Sequence, residues 1–337
     1  MPQSKTLRSI AFKTIRILAG VTLLVFSLWG VNWGQLAESV GSITLPWFLL
    51  AIGAVVVGLF SKVVRWWLFL TNYGLDVPWR RIFEAYFAGQ SANILLPTRG
   101  GELLRLGLLS ARKPSSAPQV AATIALEKFL DLISLSFIAL GVAAYLPPER
   151  AHWVRGWLLP FSGLASLMLL VMIFWGPRLW RGIQPKISSQ APSWLRKIAG
   201  LVDQFVESSL WLRDARRLLP ALLLTALIWV IMWSTNMLLF RSLEMALPPL
   251  AGGLVLVFIY LGLLPALMPG NIGPFYFFAQ LAVKPFVVSD ENALAFAILL
   301  HAIVTLPPLL AGGFFLLFSG EGIVPSWLKN YTIHTSE

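Results

Sequence analysis

The segment NILLPTRGGELLR, residues 93–105, is the most informative stretch of this chain. It lies between apolar segments, yet it holds two arginines, a glutamate, a proline and two adjacent glycines. Charge is costly in lipid hydrocarbon, and non-helical backbone survives at membrane depth only when it is buried in protein or lines a polar cavity. We therefore predict that this segment forms the functional site of the protein.

The composition around this segment is that of an integral membrane protein. Hydrophobic residues make up 57% of the chain and charged residues only 12%. Several apolar runs approach or exceed the ~20 residues that a helix needs to cross a bilayer. The first run, residues 10–30, is too long for a cleaved signal peptide and lacks a small-residue cleavage site, so we expect a retained anchor.

Composition also excludes several function classes. The chain has no cysteine, which rules out disulfides, thiol catalysis and cysteine metal ligands. Its three histidines lie far apart, so we expect no metal and no cofactor. The net charge of +11 does not indicate nucleic-acid binding, because the basic residues gather in short segments between apolar runs. That distribution follows the positive-inside rule and favours anionic lipid headgroups as partners.

We predict an all-α polytopic membrane protein that forms a single domain over residues 1–337. Two halves, residues 10–176 and 218–318, flank a basic cytoplasmic loop, residues 177–217, with an amphipathic helix at 194–212. About six segments are predicted to span the bilayer: residues 10–30, 44–60, 120–146, 157–175, 218–240 and 292–318.

Two further apolar segments, residues 82–111 and 250–288, are interrupted by breaks at 97–101 and 268–274. Each is predicted to form a re-entrant hairpin of two short arms. The hairpins hold matching places in the halves and open from opposite sides, which is typical of an inverted repeat with a binding site near the midplane. The alternative is that residues 250–267 simply span, which gives seven or eight ordinary transmembrane helices.

The distribution of basic residues predicts that both termini lie in the cytoplasm. Four basic residues lie at the start of the first span: Lys5, Arg8, Lys13 and Arg16. The following segment, residues 31–43, has no Lys or Arg and is predicted to be an outer loop. Four more basic residues follow the second span and are expected on the cytoplasmic side: Lys62, Arg65, Arg80 and Arg81. The predicted location is the cytoplasmic membrane.

Residues 89–105, GQSANILLPTRGGELLR, resemble the signature of the membrane region of lysylphosphatidylglycerol synthase, which also occurs as free-standing, flippase-like proteins. A second similar element lies on the next helix, and a third forms a late Pro-Gly turn in which Asn271 and Tyr276 stand where the family commonly has glycine and glutamate. No segment after Phe318 is long enough for the aminoacyl-transfer domain, so we expect a free-standing member. The similar residues are Asn93, Pro97, Arg99, Gly101, Glu102, Arg105, Glu127, Lys128, Asp131, Pro269, Gly270 and Gly273.

The first motif has the chemistry of a phosphate site. Arg99 and Arg105 can each grip a phosphate with a planar guanidinium, and Glu102 lies three residues from both. Gly100 and Gly101 permit close backbone approach and place amides at a helix start. The alternative is an internal Arg–Glu–Arg network that only pins the hairpin.

Glu127 and Asp131 share one face of the next helix because they are four residues apart. They either neutralise Arg99 or Arg105, carry a proton, or simply favour the helix dipole. His301, alone in an apolar helix, is expected to be a buried histidine with satisfied hydrogen bonds. The candidate site residues are Asn93, Pro97, Arg99, Gly100, Gly101, Glu102, Arg105, Glu127, Asp131, Gly270, Asn271 and Tyr276.

The resemblance and the charged motif together favour a lipid translocase that handles an anionic lipid or a lipid-linked headgroup. One alternative is a membrane-embedded enzyme subunit in lipid or lipid-linked glycan modification, and another is a non-catalytic assembly partner of a lipid-modifying enzyme. No metal cluster, nucleophile elbow or phosphate loop is visible in the sequence, which favours a non-enzymatic function.

Overall fold

The computed structural model describes residues 3–96, 100–111, 116–146, 214–265 and 268–318, with scattered positions between 152 and 203. Within the main ranges, side chains are described from residue 14 to residue 315. The described part is helical and contains no strand, which confirms the predicted all-α class. Its helices are α1 (Gln3–Leu28), α2 (Trp33–Gly41), α3 (Leu45–Asn72), α4 (Trp79–Leu95), α5 (Gly101–Ser110), α6 (Ala117–Tyr145), α7 (Ala215–Ser242), α8 (Pro249–Gly262), α9 (Pro274–Val283) and α10 (Asp290–Phe318), with 3₁₀ turns at Pro269–Asn271 and Lys284–Phe286.

Three of the described helices, α3, α7 and α10, are long and apolar enough to cross a membrane. A fourth crossing results if α1 and α2, which meet at an angle of 82°, count as one broken span. The helix α6 has 29 residues but carries three ionisable side chains in its middle. The predicted span at 157–175 and the predicted surface helix at 194–212 lie outside the described residues, apart from a few scattered positions.

The segment predicted as an outer loop contains a short helix, α2. Asn32 starts this helix, because its side-chain oxygen accepts hydrogen bonds from the amides of Gly34 and Gln35 at 3.0 and 3.3 Å. The next element, α3, runs to Asn72, twelve residues beyond the predicted end of its span at residue 60. Arg65, predicted to lie in the basic segment after this span, is therefore part of α3.

Both predicted hairpins are present as pairs of short helices in mutual contact, α4 with α5 and α8 with α9. The 14 residues of α8 extend about 21 Å at 1.5 Å per residue, too short for a ~30 Å hydrocarbon core. The second break is fixed by its backbone: Gly270, Asn271 and Gly273 all have φ between 55° and 88°, and Pro274 starts α9. Helix α8 therefore ends at Gly262, before the end of the apolar segment 250–267, and the re-entrant placement of both hairpins in the membrane stays a prediction.

The helix α8 forms the centre of the largest apolar cluster. Four of its side chains, those of Ala251, Leu254, Val255 and Val257, have no exposed surface. The cluster also includes buried residues of α3, α6, α7, α9 and α10, so it joins the two halves. An all-round apolar helix is what such a fully enclosed position requires.

The two halves have the same pattern of helix neighbours. Matching α3, α4, α5 and α6 with α7, α8, α9 and α10 in order pairs each contact within one half with a contact in the other. Between the halves, α3 packs on α7, α4 packs on α10, and α6 correspondingly packs on α8. This pattern is what a structural repeat predicts; the repeat itself and the opposite membrane orientation of the halves stay predictions.

A charged network beside the first break

The first element of the candidate site is a buried ion pair between α5 and α6. Arg105 donates two hydrogen bonds to the carboxylate of Glu127, from Nη1 to Oε1 at 3.2 Å and from Nη2 to Oε2 at 2.8 Å. The Arg105 guanidinium carbon also lies 3.9 Å from the ring centroid of Trp66 and 4.8 Å from that of Tyr86. The planar guanidinium is thus held by a carboxylate and two aromatic rings.

A second buried ion pair joins α3 to α6. Arg65 has no exposed surface, and its two Nη atoms donate to Asp131 at 2.8 and 3.2 Å. The hydroxyl of Thr225 on α7 accepts a further hydrogen bond at 3.4 Å. The sequence predicts Arg65 in a basic cytoplasmic segment, and the structure buries its side chain in the helix bundle, where the carboxylate of Asp131 compensates its charge. The side of the membrane on which Arg65 lies stays a prediction.

The third pair lies at the break itself. The Nζ atom of Lys128 is 3.0 Å from Oε1 of Glu102, and the side chain of Lys128 is 52% exposed, against 26% for Glu102. Asn93 at the end of α4 joins this pair to the hairpin: its amide nitrogen donates to Glu102 at 3.2 Å, and its oxygen accepts from the Gly101 amide at 2.8 Å. Asn93 therefore holds the start of α5 in place.

The three pairs together balance three cations with three anions on and around α6. Such balance is what makes ionisable groups tolerable among apolar helices. Their accessibility differs, however. Arg65 and Arg105 are fully buried and each makes two hydrogen bonds to one carboxylate, whereas Lys128 meets Glu102 in a single contact and keeps half of its side chain exposed.

The two arms of the first hairpin touch through glycines. A Cβ atom on Gly101 would collide with the carbonyl oxygen of Gly89, and one on Gly89 would lie 2.5 Å from Cγ of Arg105. The close approach predicted for Gly101 is therefore made to the neighbouring helix. This contact brings Arg105 and Asn93 into their places in the network.

Some predicted site residues take other roles than expected. The sequence places Glu102 within reach of Arg105, but Glu102 pairs with Lys128 because Glu127 on α6 occupies the Arg105 guanidinium. The Gly101 amide, predicted to face an anion, is bonded to Asn93. Gly100 precedes α5, and its carbonyl accepts the Leu104 amide at 3.0 Å. Pro97 and Arg99 lie outside the described residues.

The second break packs against the first hairpin. The 3₁₀ turn that holds Gly270 and Asn271 contacts α4. His301 on α10 bonds this turn: its Nε2 lies 2.8 Å from the Gly270 carbonyl, and its Nδ1 lies 3.3 Å from the hydroxyl of Tyr276. The prediction that His301 is a buried, hydrogen-bonded histidine is confirmed. His301 thereby joins Gly270 in the second break to Tyr276 on α9.

Sequence reasoning missed Arg65, Trp66 and Tyr86 as members of the network. One signal was present: Glu127 and Asp131 share a helix face, and two carboxylates there require two cations from neighbouring helices. The aromatic rings gave no such signal, since aromatic residues are frequent throughout this chain. Within the described part, no group of three His, Asp or Glu side chains is arranged to hold a metal ion.

The sequence profile of the lysylphosphatidylglycerol synthase transmembrane region matches residues 13–312 of this chain. The protein belongs to that family. The match covers both hairpins and every residue of the charged network, so the resemblance of residues 89–105 extends over nearly the whole chain. It establishes a membrane protein related to lipid modification or lipid transport. No curated protein matches the chain.

Proposed function

We propose that the protein is a translocase for lipids with anionic headgroups in the cytoplasmic membrane. The family supports a connection with lipids. The charged network supports a polar path through the bundle, because ionisable groups among spanning helices are retained at substrate and ion pathways. The observation that carries the proposal is the half-exposed pair of Lys128 and Glu102 beside the first break.

In this proposal a lipid phosphate replaces Glu102 as the partner of Lys128. The exchange costs little, because the pair has one contact and Lys128 is already half exposed. Asn93, which bonds Glu102, keeps the displaced carboxylate within the hairpin. A phosphate brings more acceptor oxygens than a carboxylate, so it can bind a second cation while it binds Lys128.

Arg99 is the proposed second cation. It is in the break, two residues before Gly101, and its planar guanidinium suits two-pronged phosphate contacts. Arg105, the other arginine of the motif, is buried: both of its Nη atoms donate to Glu127, and its guanidinium lies against two aromatic rings. We therefore assign Arg105 to holding the hairpin in place and assign the phosphate contacts to Arg99 and Lys128.

The second break is proposed to form the opposite wall of the path. Its turn contacts α4, and His301 and Tyr276 supply polar groups there. Gly270 and Asn271 have left-handed backbone that lies outside the α-helices. Backbone of this kind lies at membrane depth only where it is buried in protein or lines a cavity.

Transbilayer movement in proteoliposomes tests the proposal. The purified protein is reconstituted with fluorescent phosphatidylglycerol, and a membrane-impermeant quencher reports how much lipid changes leaflet. The native protein should accelerate the movement. Lys128→Gln should slow it at least ~10-fold, because it removes a charge-assisted contact worth roughly 1.5–3 kcal/mol. Arg99→Lys should also slow it at least ~10-fold, because lysine lacks the planar fork for a two-pronged phosphate contact. Lys128→Arg should retain most activity, since it keeps the cation.

Arg80→Gln is the matched control, because it removes an ion pair with Glu84 from the same hairpin, where the Arg80 side chain is 88% exposed. It should leave the rate unchanged. A native rate equal to that of protein-free liposomes would reject the translocase. Formation of a modified lipid in the same vesicles, seen by mass spectrometry, would favour the enzyme alternative instead.

A further inference from the structure

A cavity of about 330 Å³ lies between the end of α1, the helix α9 and the start of α10. It shares no residue with the charged network on α6. Its size falls at the lower end of the ~300–1,000 Å³ range of small-ligand sites. The proposed translocation path does not use it.

The cavity lies where apolar helices end, which places it at a membrane boundary. α1 ends at Leu28 and α10 begins at Asp290, and both of these ends contribute lining residues. Trp29, which lines the cavity just beyond α1, is 76% exposed. Tryptophan at such positions is typical of the headgroup level of a bilayer. A lipid headgroup therefore has direct access to the cavity.

The lining carries one charge of each sign. Lys284 follows α9 and Asp290 starts α10; both are exposed, and neither forms a salt bridge within the described part of the chain. Gln280 also lines the cavity, and its amide nitrogen donates to the Ser27 carbonyl at 3.2 Å.

The lining of the cavity also has an apolar part. Phe26 and Phe277 line the same cavity, and Phe26 is 63% exposed on the outside of α1. A molecule that places its polar end between Lys284 and Asp290 can thus lay an apolar chain along Phe26. This combination of a cation, an anion and an adjoining apolar surface matches an amphiphile with both charges in its head.

We propose that this cavity binds the headgroup of a zwitterionic phospholipid. The lipid phosphate bonds Lys284, the lipid ammonium bonds Asp290, and the acyl chains follow Phe26. An anionic headgroup such as phosphatidylglycerol fills only half of the site, because it has no cation for Asp290. The site is separate from the proposed translocation path and takes a different class of lipid, so it does not depend on transport.

Native mass spectrometry of the full-length protein in a non-ionic detergent tests the proposal. The protein is titrated with phosphatidylethanolamine and, separately, with phosphatidylglycerol of the same acyl chains, and a Kd is obtained for each. The native protein should bind phosphatidylethanolamine at least ~10-fold more tightly. Asp290→Asn should abolish this preference by weakening only phosphatidylethanolamine, while Lys284→Gln should weaken both lipids.

Glu291→Gln is the matched control, since Glu291 neighbours Asp290 but accepts a hydrogen bond from the Asn32 amide and does not line the cavity. It should leave both Kd values unchanged. Equal affinity of the native protein for the two lipids, or an unchanged preference in Asp290→Asn, would overturn the proposal. Displacement of the lipid by soluble phosphoethanolamine at equal concentration would also overturn it, because a lipid site requires the acyl chains.

Discussion

Arg105 and Glu127 join the short helix α5 to the long helix α6 through two hydrogen bonds, of 3.2 and 2.8 Å, in a position that leaves Arg105 without exposed surface. This pair fixes the hairpin to the bundle. It also removes the most conspicuous arginine of the motif from any role as a free phosphate ligand. The exposed cation of the network is Lys128.

We expect either half of this pair to be destabilising when it is removed alone. Arg105→Met or Glu127→Leu should each lower the free energy of unfolding by about 3–5 kcal/mol, because the remaining charge stays buried without a partner. The double variant should recover much of the loss, since it leaves no buried charge. Thermal unfolding in detergent measures all three, and Arg80→Gln should behave like the native protein. A double variant as unstable as the sum of the single variants would contradict this account.

Gly101→Ala should disrupt the first hairpin. The added methyl group meets the Gly89 carbonyl oxygen, and backbone cannot move aside as a flexible side chain can. We expect a loss of about 1–3 kcal/mol from overpacking. Gly141→Ala in α6 is the control, because a Cβ there has no neighbour within 4 Å. It should be neutral or stabilise by about 0.5–1 kcal/mol. Equal melting temperatures for the two variants would disprove the close contact.

The contacts of His301 at the second break should differ in strength. Tyr276→Phe removes one 3.3 Å hydrogen bond and should cost about 1 kcal/mol or less. His301→Leu should cost more, about 1–3 kcal/mol, because it also deprives the Gly270 carbonyl of its 2.8 Å partner. Thermal unfolding compares them with Tyr145→Phe, a change at an 81% exposed side chain. The reverse order would show that Tyr276 is the main anchor of the break.

Topology can be measured with single cysteines, since the native chain has none. A cysteine at Ser326 should react with a membrane-impermeant maleimide only after the cells are opened, because the C-terminus is predicted to be cytoplasmic. A cysteine at Glu38 in α2, on the predicted outer side, is the matched control and should react in intact cells. Free labelling of the Ser326 position from outside would reverse the assignment of the C-terminus.

The class of the protein and the positions of its breaks follow from local features of the sequence. Apolar runs of helical length fix an all-α membrane fold, because only helices satisfy their own backbone in lipid. Gly270, Gly273 and Pro274 predicted the second break correctly, since their backbone preferences are local. The shared helix face of Glu127 and Asp131 also follows from their spacing of four residues, but their roles stayed open between neutralising an arginine, carrying a proton and favouring the helix dipole.

The partner of each cation in these ion pairs, in contrast, depends on how separate helices pack. Arg65 and Asp131 are 66 positions apart in sequence, and Arg105 and Glu127 are 22 apart. The spacing of residues within one helix therefore predicts neither pair. The local pattern instead favoured Glu102 with Arg105, which share one short helix. The packing of α3, α5 and α6 overrode it, because a buried guanidinium is satisfied best by the carboxylate that can bond both of its outer nitrogens. Because Arg105 pairs with Glu127 on α6, Lys128 is the exposed cation beside the break.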